Sequence, residues 1–108
     1  MTTPFGFVGH THVPLIAIQE PHLPDDCEMY QLGDGARIPL SADKKVVINP
    51  GSVGQPRDGD PRASYAVYDT DQAAVTIHRV DYDIKHTQRL MTDAGLPLRL
   101  IERLAIGR

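Results

Sequence analysis

The sequence contains no tryptophan, two phenylalanines and one cysteine among 108 residues. A lone Cys27 cannot close an internal disulfide, so a cross-linked secreted scaffold is excluded and a reducing, cytoplasmic setting is the default. Long apolar runs are missing as well. The longest, residues 15–18, falls far short of the roughly 18 to 20 residues that span a bilayer, and no basic-then-apolar leader opens the chain. Neither a membrane span nor a cleaved secretory signal is expected. Basic surplus is also lacking: eleven Lys and Arg against fourteen Asp and Glu leave a net charge of −3. The basic residues are scattered, which argues against nucleic-acid binding through phosphates. Internal repeats and low-complexity tracts are absent.

What is present points to one folded unit, residues 1–108. A quarter of the residues are Leu, Ile, Val or Phe, enough to order a core. Nine glycines and nine prolines assign a large share of the chain to turns. Residues 5–8 and 15–19 read as short strands, the second with Pro14 at its first position or at an edge. Residues 29–32 and 36–38, separated by Gly33-Asp34-Gly35, read as a hairpin. Residues 45–48 form a β-branched run, cut off by Asn49-Pro50-Gly51-Ser52, and residues 53–62 read as an exposed loop. Residues 64–68 and 74–82 form a second hairpin.

Two helices follow. Asp83 is placed to cap the first, with Ile84, Thr87, Leu90, Met91 and Ala94 on one face and Gly95 just past its end. Pro97 starts the second, with Leu98, Ile101 and Ala105 as its stripe. About six mostly antiparallel strands followed by two C-terminal helices make an α+β layout, with the helices expected over one face of the sheet. Residues 75–80 carry apolar side chains on both parities. That pattern fits a strand covered on both faces, more than one small chain readily supplies.

The first chemistry-bearing candidates are His10 and His12. Two imidazoles one residue apart at a strand end can face one cleft and ligate a divalent metal, yet His-x-His alone is also an ordinary polar pair. Asn49 can orient a ligand histidine or simply cap its own turn, and Arg57 can grip a phosphate as a two-pronged fork or remain solvated. His22, Asp25, Asp26, Cys27 and Glu28 form a second cluster of ligand types, read as an ordinary acidic loop between Pro21 and Pro24. His78 and His86 read as structural or solvated, and Cys27 as inert.

The string Phe5-Gly6-Phe7-Val8-Gly9-His10-Thr11-His12-Val13-Pro14, followed by Val47-Ile48-Asn49-Pro50-Gly51-Ser52-Val53-Gly54-Gln55-Pro56-Arg57-Asp58, resembles the C-terminal half of calcineurin-like metallophosphoesterases, in particular the small prokaryotic phosphodiesterase and diadenosine-tetraphosphatase-like group. The resemblance extends through Ser64-Tyr65-Ala66 and Tyr82-Asp83-Ile84. It implies an αββα sandwich flanked by helices and a site with two divalent ions, of Mn, Fe, Zn, Ni or Mg, bridged by an aspartate. His10 would bind one ion and His12 the other, with Asn49, Gly51, Ser52 and Arg57 in the adjoining turn and substrate loop.

The family's other ligand motifs, its catalytic histidine included, lie upstream and do not occur in these residues. The resemblance therefore implies a metal-dependent hydrolase of a phosphomonoester, phosphodiester or dinucleoside polyphosphate, to which this chain contributes two ligands. The expected partners are the phosphate-ester substrate and a missing N-terminal half or another subunit, with pairing to its own copy also open. Two alternatives stand beside this reading: a non-catalytic interaction module of the same fold, and a mononuclear metal binder using a carboxylate from residues 25–28.

Overall fold

The computed structural model describes residues 5–19, 27–41 and 44–108. Seven strands and two helices run in the order β1 (Phe5–Phe7), β2 (Pro14–Gln19), β3 (Cys27–Gln31), β4 (Arg37–Pro39), β5 (Lys45–Pro50), β6 (Ala63–Asp69), β7 (Ala74–Val80), α1 (Ile84–Asp93) and α2 (Leu98–Arg103). They form a four-stranded sheet ordered β1-β5-β2-β3 and a three-stranded sheet ordered β4-β7-β6. Only the β1–β5 pair is parallel among the described strands. The expected α+β layout of mostly antiparallel strands followed by two helices is therefore present.

Register explains the core. Ile16 pairs with Ile48 and Ile18 with Val46, so these side chains share one face of the first sheet. On the second sheet Ile38 pairs with Val75 and Ala66 with Ile77. The two faces meet, burying Ile16, Ile38, Val46, Ile48, Val75 and Ile77 in one cluster. At one side of the sandwich the edge strands β1 and β6 touch through their aromatic rings. Phe5 lies edge-on to Tyr68, with ring centres 5.1 Å apart, and Phe7 is 6.4 Å from the same ring.

Three expectations need correction. Residues 29–32 and 36–38 do not form a hairpin: β3 pairs with β2 and β4 with β7. Pairing with the first sheet ends where Leu32 donates its N–H to the Pro14 carbonyl, and Gly35 then donates to Ile77 in the other sheet. A local turn gives way to burial, because crossing the sandwich places Ile38 in the core. The 45–48 strand runs on through Pro50, which sits opposite Pro14 at the end of the ladder. Neither proline has an N–H to donate, so that end pair leaves no donor unsatisfied.

In β7, Val75, Ile77 and Arg79 are buried on one face, while on the other Ala74 is buried and Val80, opposite Ala63 of β6, is 44% exposed. The described residues cover that second face only in part.

The helices supply the third. α1 begins and ends as expected: Asp83 Oδ1 accepts the His86 N–H, and Gly95 and Leu96 donate back to Thr92 and Met91. Its apolar stripe, however, contains no buried residue, and its main neighbour is α2 rather than a sheet. In α2 the buried positions are Ile101 and the following Leu104. Leu98 is 67% exposed and Ala105 lies beyond the helix. The chain end instead docks on the loop before β6, where Gly59 donates to the Gly107 carbonyl at 2.8 Å. Among the described residues, no helix is long and apolar enough to cross a membrane.

Candidate metal-binding loop

β1 ends at Phe7, and Val8 adds one more bond by donating to the Ile48 carbonyl. The chain then leaves the sheet as Gly9-His10-Thr11-His12. His10 and His12 both adopt positive φ, 89° and 60°, a region that non-glycine residues enter at a cost of roughly 1–3 kcal/mol each and that clusters at functional sites. Surrounding contacts must hold them there. Asn49, 1% exposed, is the brace: its Nδ2 donates to the Gly9 carbonyl at 3.2 Å and to Thr11 Oγ1 at 2.9 Å. Its Oδ1 accepts the Gly51 N–H at 3.0 Å. One end of the Asn49 amide thus caps the turn and the other ties down the loop that carries the histidines. Its contacts are to the loop's backbone and to Thr11.

The His12 ring is itself oriented. Its Nδ1 lies 2.9 Å from the Gln55 carbonyl, an acceptor only, so in the neutral ring Nδ1 carries the proton and Nε2 keeps a free lone pair. Arg57 returns the contact by donating its N–H to the His12 carbonyl at 3.1 Å. The loop making both contacts is shaped by Ser52, whose Oγ accepts from the amides of Gly54 and Gln55. Its neck is closed by Ser64, which donates its N–H to the Ser52 carbonyl and its Oγ to the Pro50 carbonyl at 2.6 Å. Gly51, with φ 86°, packs so tightly that a Cβ there would stand 2.8 Å from Pro14 Cγ and 2.9 Å from Ser64.

Residues 53–62 are less exposed than expected. Pro56 is fully buried, and charges knit the rest together. Arg62 forks onto Asp60, with Nη2 to Oδ2 at 2.8 Å, and this hydrogen bonding holds the Asp60 carboxyl at about 2, against an ordinary 3.8. Arg79 reaches the same loop from β7. Arg57 is exposed, its Nη2 donating to Gln55 Oε1 at 3.0 Å.

His10 and His12 fit part of a divalent-metal cage. Imidazole is a suitable donor for such ions, and the oriented, unprotonated Nε2 of His12 is the form that ligates. Among the described residues no group of three or more His, Cys, Asp or Glu is gathered to complete one. Of the second cluster, His22, Asp25 and Asp26 lie outside the described residues. Cys27 is exposed, and Glu28 accepts from the Tyr30 hydroxyl at 2.7 Å.

The comparisons decide the family. The sequence profile of the calcineurin-like phosphoesterase superfamily domain matches residues 2–73, two thirds of the chain. The chain belongs to the calcineurin-like phosphoesterase superfamily. Its structure is also similar to the crystal structure of a metallophosphoesterase from Sphaerobacter thermophilus, with a TM-score of 0.90 and 49% identity over 100% of this chain and 44% of that one. The "Uncharacterized protein MJ0912" of Methanocaldococcus jannaschii is 45% identical over 102 residues, 94% of this chain and 39% of that protein. The chain thus spans less than half the length of either relative. Membership supports a phosphoesterase-type function in general, in a family that uses divalent metals.

The sequence reading named His10, His12, Asn49, Gly51, Ser52 and Arg57, and the structure gathers all of them around one loop and turn. It did not name Thr11, Gln55, Ser64 or Arg79. Gln55 acts through its main-chain carbonyl, which no side-chain pattern reveals. Arg79 carried a readable signal, a charge on the same strand parity as Val75 and Ile77.

Proposed function

We propose that this chain forms part of a di-metal phosphoesterase, in which His10 and His12 each give an imidazole nitrogen to a divalent ion and the remaining ligands come from outside these 108 residues. The observation that carries the proposal is the His12 ring, held by the Gln55 carbonyl in the tautomer that leaves Nε2 free. A divalent ion held by His10 or His12 would supply a water of lowered pKa and polarisation of a phosphoryl oxygen. The chain's own residues orient the site: Asn49 fixes the histidine loop, and Ser52 and Gly51 set the turn that presents Gln55. Arg57, exposed beside that turn, is available to a substrate phosphate as a two-pronged donor.

The substrate class is a phosphomonoester, phosphodiester or dinucleoside polyphosphate, and the setting is cytoplasmic. The partner proposed is the remainder of a metallophosphoesterase, on the same polypeptide or on another subunit. It would meet the side where β1 and β6 end the two sheets, at a cleft of about 430 Å³ that Phe7, Val53, Tyr65 and Tyr68 help to line.

Calorimetric titration with Zn²⁺ tests the ligands. The 108-residue chain should bind more weakly than micromolar, as two histidines without carboxylates would, and the double variant His10→Ala/His12→Ala should lose the binding. Zn²⁺ binding unchanged in that variant would overturn the assignment. With Mn²⁺ and bis-p-nitrophenyl phosphate the chain alone should turn over little or nothing. Robust turnover abolished by His12→Ala would show a complete site instead of a partial one.

A further inference from the structure

Arg79 lies near the end of β7, on the strand face that buries Val75 and Ile77, with its side chain 1% exposed. A buried charge is tolerated where hydrogen bonds replace its hydration; here both Nη atoms have them, while Nε, 3.6 Å from Asp60 Oδ2, makes none among the described residues. The guanidinium donates to a single segment. Nη1 donates to Asp58 Oδ2 at 2.9 Å and Nη2 to Asp58 Oδ1 at 3.2 Å. Nη2 also donates to the carbonyls of Asp60 at 2.7 Å and Arg62 at 2.8 Å. The Arg79 main-chain N–H donates to Asp34 Oδ1 at 2.9 Å, and Asp34 in turn accepts from Arg62 Nη1 at 3.4 Å. One side chain therefore fixes residues 58–62 at three points.

The same loop carries both main-chain contacts to His12. Gln55 accepts from Nδ1, Arg57 donates to the His12 carbonyl, and Pro56 is buried between them. Asp58 follows Arg57 directly. The loop has no strand pairing of its own, so its placement rests on the Ser52 turn at one end and, at the other, on Arg79 together with the Gly59 contact to the Gly107 carbonyl.

The geometry points to Arg79 as a positioning residue for His12: its guanidinium fixes Asp58, Asp58 fixes the Gln55–Arg57 backbone, and the Gln55 carbonyl selects the His12 tautomer with a free Nε2. The ligand role of His12 is taken from the proposed function; the tautomer control is separate from it and is read without metal.

The test is long-range ¹H–¹⁵N NMR on the ¹⁵N-labelled full chain, at a pH above the ordinary histidine range. The wild type should show His12 with a proton-bearing Nδ1 and a bare Nε2. Arg79→Lys keeps the charge but cannot reach three points at once, and Asp58→Asn removes the charged fork from the solvent side. Both should convert His12 to a mixture with Nε2–H and leave His86, in the first turn of α1, unchanged. A merely structural Arg79 would lower the melting temperature and leave the His12 pattern as it was.

If Arg79→Lys does not fold, Asp58→Asn carries the test alone. A folded variant that keeps the wild-type His12 pattern overturns the inference, and so does a wild-type chain without the Nδ1–H signal. Zn²⁺ affinity should fall by about tenfold in the same variants, as when the group orienting a ligand histidine is lost. Zn²⁺ binding that ignores His12→Ala, with the tautomer still following Arg79, would remove the ligand reading and keep the positioning one.

Discussion

Gly51→Ala should be among the most damaging small substitutions in the chain, and its cost can be built from the structure. A left-handed backbone costs a non-glycine residue about 1–2 kcal/mol. The new Cβ would stand 2.8–2.9 Å from Pro14 Cγ and from Ser64 Cβ and Oγ, where ordinary contact begins at 3.4 Å. None of these atoms is a free side-chain tip: Pro14 is a ring at the end of a strand ladder, and Ser64 Oγ donates to the Pro50 carbonyl at 2.6 Å. Overpacking of this kind costs about 1–3 kcal/mol, and displacing the hydroxyl adds about 1 kcal/mol.

The expected total is about 3–6 kcal/mol, a large part of the roughly 5–15 kcal/mol that holds a domain together. Gly35→Ala is the internal control. Gly35 has nearly the same φ, 82°, but nothing within 4 Å of the added Cβ, so only the backbone cost of about 1–2 kcal/mol applies. Urea unfolding followed by circular dichroism should therefore show Gly51→Ala losing at least about 2 kcal/mol more than Gly35→Ala, with similar slopes. Equal losses would refute the close approach of the turn to Pro14 and Ser64, and with it the account of how the Ser52 loop is held.

Two further outcomes follow from polar groups on the loop and on the segment leading into α1. The Tyr82 hydroxyl is buried without a hydrogen-bond partner among the described residues, and burial pushes its pKa up, so Tyr82→Phe should leave the chain as stable or about 1 kcal/mol more stable in the same urea assay. A clear loss would show that the hydroxyl is satisfied. Asp60, held at about 2 against 3.8, stabilises the fold fully above about 3.8, and that contribution disappears as pH falls toward 2. The stability gap between wild type and Asp60→Asn should accordingly narrow between pH 5 and pH 2, and a gap independent of pH would refute the Arg62 pairing.

Local chemistry made much of the fold readable. β-branched runs marked β5 and β7, Asp83 and Gly95 marked the ends of α1, and Pro14 opens β2 as its missing N–H suggested. What stayed hidden depended on partners distant in sequence. Gly33-Asp34-Gly35 has the composition of a hairpin turn, and only the Ile77 and Arg79 main-chain groups, more than forty residues on, make it a crossing between sheets. The α1 stripe was legible as a stripe, but nothing local told what would cover it.

The same distinction explains the site. His10 and His12 were visible because ligand chemistry resides in side chains. Their positive φ angles and the tautomer of His12 were not, because those depend on Asn49 and on a carbonyl 43 residues away. Strain of that kind persists only where several contacts over-determine it. Here the contacts come from both sheets: Asn49 at the end of β5 in the first, Ser64 in β6 and Arg79 in β7 in the second. The histidine loop is thus held by the packing of the whole sandwich. A change in either sheet that leaves the two histidines untouched can still misplace them, and that makes Asn49, Ser64 and Arg79 part of the site although none of them is placed to touch a metal.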